Sequence, residues 1–195
     1  MNDVMRVGVV GAGTMGRGIA QVAAAAGHKV HLLDRNLAVL KDAQSFLAKI
    51  QDRSVSKGRI SRQDADALLE RISSTQEVSD MAGCGLVIEA IVERADIKEA
   101  LFSELESVVS KGCVLASNTS SLSVSALAAS LKHADRFVGL HFFNPAPLMP
   151  LVEVIPALQS RAGLSDEMLV LMQQWGKQPA VAKDTPGFIV NRVAR

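Results

Sequence analysis

The stretch "VGVVGAGTMGRGIA", residues 7–20, sets Gly11, Gly13 and Gly16 in a G-x-G-x-x-G spacing, directly after an apolar strand and at the start of a helix. Each glycine meets a separate demand of a dinucleotide-binding turn. The first makes the tight turn, the second lets the backbone approach a pyrophosphate, and the third lets helix and strand pack closely. The helix opening at Thr14 and Met15 offers amide donors and positive potential to the phosphates. The spacing alone is a weak signal, and its context strengthens it. The next strand ends in Asp34, where a carboxylate accepts from the adenosine ribose hydroxyls and repels a 2′-phosphate. That favours NAD over NADP, although Arg35 beside it, a second candidate for contact with the cofactor, keeps NADP open.

Working outward, "RVGVVG" (6–11), "KVHLLD" (29–34), "LVIEAI" (86–91), "CVLAS" (113–117) and "FVGLHF" (137–142) are near-continuously apolar, as strands buried on both faces are. Helical patterns at 14–26, 37–57, 61–71 and 95–109 lie between them, and Gly27 falls where a helix would end. This alternation predicts an α/β chain: a Rossmann-type, doubly wound, mostly parallel sheet with helices on both faces. The last third changes character. "PAPLMP" breaks regular structure, "LVEVI" adds a strand, 165–175 is helical, and "PAVAKD" (179–184) reads as an edge strand. In "DTPGFIVNRVAR" a new helix is predicted, with Thr185 as N-cap and Pro186 as its first residue. Residues 1–184 are thus expected to form the nucleotide domain. Residues 185–195 are expected to begin a helix leading into a further domain, as in a cut through a larger protein.

Composition narrows the partners. The 195 residues are 48% hydrophobic, and 21 basic side chains balance 20 acidic ones, which argues against nucleic acid or an anionic membrane reached by bulk charge. No apolar run approaches the roughly 18 residues of a membrane helix, and "MNDVMRVGVVGAG" lacks the form of a signal peptide. Cys84 and Cys113 have neither disulfide-framework nor metal-site spacing and read as buried thiols. A cytoplasmic, reducing setting is the default expectation, with no metal.

In doubly wound sheets the ligand lies across the carboxyl ends of the strands. Polar groups gather there in this sequence: Glu93 and Lys98 after "LVIEAI", then Asn118, Thr119, Ser120 and Ser121 after "CVLAS", and His141 at the end of "FVGLHF". One member of the 118–121 run is expected to cap the helix that follows, and the run is longer than a cap requires. His141 is of interest because Glu153 stands alone among apolar residues in "LVEVI". If the proline loop folds that strand back, the acid can fix the tautomer and raise the basicity of the ring. His28, His31 and His133 have no such setting.

Taken together, "GAGTMGRGIA", "LVIEAIVE", "SNTSSL", "GLHFFNPAPLMPLVEV" and "KDTPGFIVNR" closely resemble the NAD-binding domain of the 3-hydroxyacyl-CoA dehydrogenases, in order and across the chain. "NPAP" and "WGKQP" look most like bacterial members of phenylacetate or short-chain acyl-CoA catabolism. The resemblance implies NAD-dependent oxidation of an (S)-3-hydroxyacyl-CoA, with His141 as general base and Glu153 as its partner. It implies Ser120 and Asn191 at the substrate C3 oxygen, and Glu93, Lys98 and Asn118 toward the nicotinamide side. Gly11, Gly13, Thr14, Met15, Gly16 and Asp34 would hold the rest of the cofactor. Pro150 stands where many members have lysine, so any contact from that lysine is missing. Lys49, Arg53 and Lys57 share one helix face. Of these, Lys57 best matches a CoA-contacting lysine, against a plain solvated face. The resemblance also implies a C-terminal helical domain, expected to follow Arg195 and to supply much of a homodimer interface. Two other readings stand beside this one: a gulonate-type sugar-acid dehydrogenase, and a nucleotide-binding protein without catalysis.

Overall fold

Continuous apolar runs become the buried strands of one eight-stranded sheet in the computed structural model of this chain, which describes residues 4–193. The first three residues of the N-terminal stretch, and the last two of the helix expected over 185–195, lie outside the described residues. Strand β1 (Arg6–Val10) leads through the glycine turn into α1 (Thr14–Ala25) and then β2 (Lys29–Leu33). After α2 (Leu37–Ser56) and α3 (Arg62–Glu70) comes a short strand, β3 (Ile72–Thr75). The chain then crosses to β4 (Leu86–Glu89), α4 (Ala95–Val108), β5 (Val114–Ser117), α5 (Val124–Ala129) and β6 (Phe137–Phe142). It ends in β7 (Leu151–Pro156), α6 (Leu164–Gln174), β8 (Gln178–Val181) and the single turn α7 (Val190–Val193).

The strand order is β3-β2-β1-β4-β5-β6-β7-β8, and every neighbouring pair is parallel except β6 with β7. The expected mostly parallel, doubly wound sheet with added strands at the C-terminal side is therefore what forms. Because β1 lies between β2 and β4, the winding reverses there, and a crevice opens at the carboxyl ends of β1 and β4. Two apolar layers cover the sheet. Ile19, Leu40, Leu68 and Met168, from α1, α2, α3 and α6, pack one face. Phe102, Leu105 and Leu127, from α4 and α5, pack the other, with Phe102 meeting Phe137 edge to face at 4.8 Å. Cys84 and Cys113 are buried in this second layer, and burial pushes their thiols up to about 11 and about 12. No helix among the described residues is long and apolar enough to cross a membrane.

Local differences from the expected elements have physical reasons. The strand β3, "ISST", was not anticipated, because an edge strand of half-exposed polar residues carries no apolar run. Strand β8 starts and ends earlier than "PAVAKD" suggested, with Pro179 tolerated at the sheet edge. The N-cap of α5 is Ser123, whose hydroxyl accepts from Ala126 N at 3.2 Å, and no member of the 118–121 run fills that role.

The largest difference is at 185–190. Thr185 and Pro186 do not open a helix: Gly187 (φ 80°) and Phe188 (φ 48°) are left-handed, and α7 begins only at Val190. A right-handed helix cannot pass through such a pair. Phe188 N donates to Thr185 O at 2.9 Å, and the Phe188 ring is buried in the second layer.

Candidate active site

The glycine turn is built by contact. Gly11, at φ 98°, donates to Leu33 O at 2.7 Å, and a Cβ there would lie 2.6 Å from Ala90 O. A Cβ on Gly16 would lie 1.7 Å from Gly11 O, so α1 presses against the turn. Gly13 differs: a Cβ there would meet nothing within 4 Å, because the residue borders a cleft of about 990 Å³ at the crevice. Thr14, Met15, Asp34 and Arg35 also line that cleft. As N-cap, Gly13 places no side chain across the first amides of α1. Asp34 is fastened to the turn, accepting from Ala12 N through Oδ2 and from Asn36 N through Oδ1, each at 2.9 Å. An open cradle of backbone at a helix N-terminus, with a fixed carboxylate one strand away, fits the pyrophosphate and adenosine ribose of NAD.

A polar row crosses the carboxyl ends of β4, β5 and β6 on the α4–α5 face. Ser117 donates to Glu89 Oε2 at 2.7 Å, and Lys98 Nζ donates to Glu89 Oε1 and sits 3.2 Å from Glu93 Oε2. Glu93 Oε1 accepts from Thr119 Oγ1 at 2.6 Å, Ser120 N at 2.9 Å, and Ser121 N and Oγ at 3.1 and 3.0 Å. Burial would raise the Glu93 carboxyl, but Thr119, the Lys98 charge and the Ser120 amide together hold it at about 2. Lys98 is no surface lysine. It is 1% exposed between two carboxylates, while the Glu93 side chain is 35% exposed, so Lys98 bears on the crevice through Glu93. A buried cation needs such partners. Glu89 and Ser117 were absent from the sequence-based candidates.

His141 and Glu153 are directly opposed in the antiparallel β6–β7 register, and Nδ1 lies 2.6 Å from Oε2. Both are buried. The second oxygen, Oε1, accepts from Ile189 N and Val190 N, each at 2.9 Å, at the start of α7. A carboxylate only accepts, so Nδ1 is the donor in this contact, and in the neutral ring the lone pair is on Nε2. The ring lies against Phe143 (centroids 4.4 Å apart) and Phe188 (5.8 Å), which fix its plane and limit water.

The register also pairs Ser117 with Gly139, so residues 118–121 leave the sheet beside the end of β6. There Asn118 Oδ1 accepts from Phe142 N at 2.8 Å, and Asn191 Nδ2 donates to Ser120 O at 3.3 Å. Ser120 and Asn191, far apart in sequence, are thus brought together. Asp184 supports them from below: it accepts from Ser123 Oγ, Val124 N and Ser125 N at 2.9, 3.0 and 2.7 Å, tying the 184–191 segment to α5. Lys57 is not part of this assembly. It is the exposed C-cap of α2, roughly 30 Å along that helix from the residues next to Asp34.

Comparison with known proteins places this geometry. The family model of the 3-hydroxyacyl-CoA dehydrogenase NAD binding domain matches residues 6–185. The chain belongs to that family. It is 43% identical over all 195 residues to 3-hydroxyadipyl-CoA dehydrogenase of Escherichia coli K12, covering 41% of that protein. It is 40% identical over 190 residues, 97% of this chain, to 3-hydroxybutyryl-CoA dehydrogenase of Bradyrhizobium diazoefficiens, covering 65% of it. A crystal structure of 3-hydroxybutyryl-CoA dehydrogenase from Escherichia coli K12 superposes with a TM-score of 0.97 at 43% identity, covering 99% of this chain and 41% of that one. The NAD-binding chain thus spans about two fifths to two thirds of the length of these relatives.

Proposed function

We propose that the protein carrying this NAD-binding domain oxidises (S)-3-hydroxyacyl-CoA to 3-oxoacyl-CoA, with His141 as general base and Glu153 as its partner. The single observation that carries the reading is the 2.6 Å His141–Glu153 contact at the ligand-facing end of β6. Glu153 holds the ring so that Nε2 faces away from the acid and receives the proton of the 3-hydroxyl. NAD, when bound, supplies the hydride acceptor. The Ser120 hydroxyl and the Asn191 amide donate to the C3 oxygen as charge builds on it. Asn191 spends one amide hydrogen on Ser120 O and keeps the other for this task. Glu93, held ionised by its donors and Lys98, accepts from the nicotinamide ribose. Phe143 and Phe188 keep water from the ring, which strengthens these contacts.

Names of the relatives support an acyl-CoA substrate. The CoA contact at Lys57, a helical domain after residue 185 and a homodimer formed through it belong to the same proposal. The test is turnover of acetoacetyl-CoA with NADH by the complete protein, set against gulonate with NAD. We expect clear turnover of the thioester and little of the sugar acid; equal or better turnover of gulonate would contradict the assignment.

A further inference from the structure

The cofactor cleft contains a charge pair that neither the glycine turn nor the proposed chemistry uses. Arg35 lines the cleft from the end of β2 and Glu104 lines it from α4. Their side chains meet at 2.8 Å across the crevice. The Arg35 main chain is pinned, since its carbonyl accepts from Gln76 Nε2 at 2.8 Å and the next amide, Asn36 N, donates to Asp34. Only the guanidinium is free to choose a partner. A 2′-phosphate on the adenosine ribose would arrive beside Asp34, where an arginine is the group that ordinarily receives it. In this chain that arginine is already engaged by a carboxylate.

We propose that Glu104 is a specificity-determining residue: by occupying Arg35 it denies the 2′-phosphate its cation and sets the preference for NAD over NADP. Asp34 and Glu104 then flank the site with two negative charges against one positive. Asp96, the other acid on the cleft wall, is taken by Arg94 at 2.5 Å and does not compete for Arg35. The Arg35 and Glu104 side chains are 76% and 43% exposed, so the pair adds little to folding. Its consequence is selective rather than structural, and Glu104→Gln should fold normally.

The proposal rests on this cleft being the adenosine subsite, and one set of titrations separates the two claims. NADH and NADPH are titrated into the chain by nucleotide fluorescence at low and high salt, using the parent, Glu104→Gln, Arg35→Gln and the double variant. Failure of the parent to bind NADH would overturn the subsite. For Glu104→Gln, NADPH binding should tighten about three- to tenfold at low salt, with NADH within about twofold, and the gain should shrink as salt rises. The double variant should lose that gain, because the freed guanidinium is its source. Arg35→Gln alone should weaken NADPH binding, since Glu104 is left uncompensated. An unchanged NADPH-to-NADH ratio in Glu104→Gln, a gain that survives in the double variant, or tighter NADPH binding in Arg35→Gln would each overturn the proposal.

Discussion

An acid inside an apolar strand is costly to bury, so its presence asks for a partner. Glu153 and Glu89 both raise that question, at the middle of "LVEVI" and of "LVIEAI". Glu153 could be read because a histidine stood at the end of the neighbouring run. Glu89 could not, because its partner Lys98 lies nine residues on in a helix, where sequence order sets it beside Glu93 and gives no sign that it reaches back to the strand. A third ionisable group has no role in the site yet ties stability to pH. His28 is buried against Trp175, with Nδ1 accepting from Met5 N, and burial lowers its pKa below the ordinary 6.5. The unfolded chain therefore binds a proton near pH 6.5 that the folded chain refuses, and stability falls as pH drops through that value. Thermal melts at pH 8 and pH 5.5 should show a lower midpoint at the acid value. Replacing His28 with Gln should reduce that drop; an identical pH dependence would assign the loss to other groups.

At the scale of elements, the β1–α1 turn was legible because its glycines serve local geometry. The same three positions make a sharp contrast. Gly13→Ala places its methyl in the open cleft and should leave folding stability nearly unchanged, within about 0.5 kcal/mol, while weakening NAD binding at least about tenfold. Gly16→Ala drives a methyl into Gly11 O and should cost stability outright. Equal losses of stability in the two would refute this division of roles, and paired melts with NADH titrations read it directly. The 185–190 segment was not legible in the same way. Pro186 after Thr185 is a sound helix start locally. Burial of Phe188 and capture of two amides by Glu153 override it, and both are long-range events that no local pattern encodes. The strand β3 escaped for the converse reason: it has too little apolar surface to announce itself.

For the whole molecule, strand–helix alternation was enough to foresee the doubly wound, mostly parallel sheet with helices on both faces. Sequence order also pointed to the strand ends as the site, but it could not show that α5, α7 and the 118–121 turn are each fastened by a different carboxylate, Asp184, Glu153 and Glu93. Asp184 joins the last segment of the chain to α5, and Glu153 joins it to β7. In the proposed reaction the His141–Glu153 pair is the base of an NAD-dependent hydroxyacyl-CoA oxidation. The most direct test of that role is the kcat for (S)-3-hydroxybutyryl-CoA oxidation by the complete protein and by its His141→Gln variant, with NADH affinity measured on the same samples. In the variant, kcat should fall by at least about 10²-fold while NADH binds as before. A His141→Gln enzyme that binds NADH normally and keeps its kcat within a few-fold of the parent would contradict it.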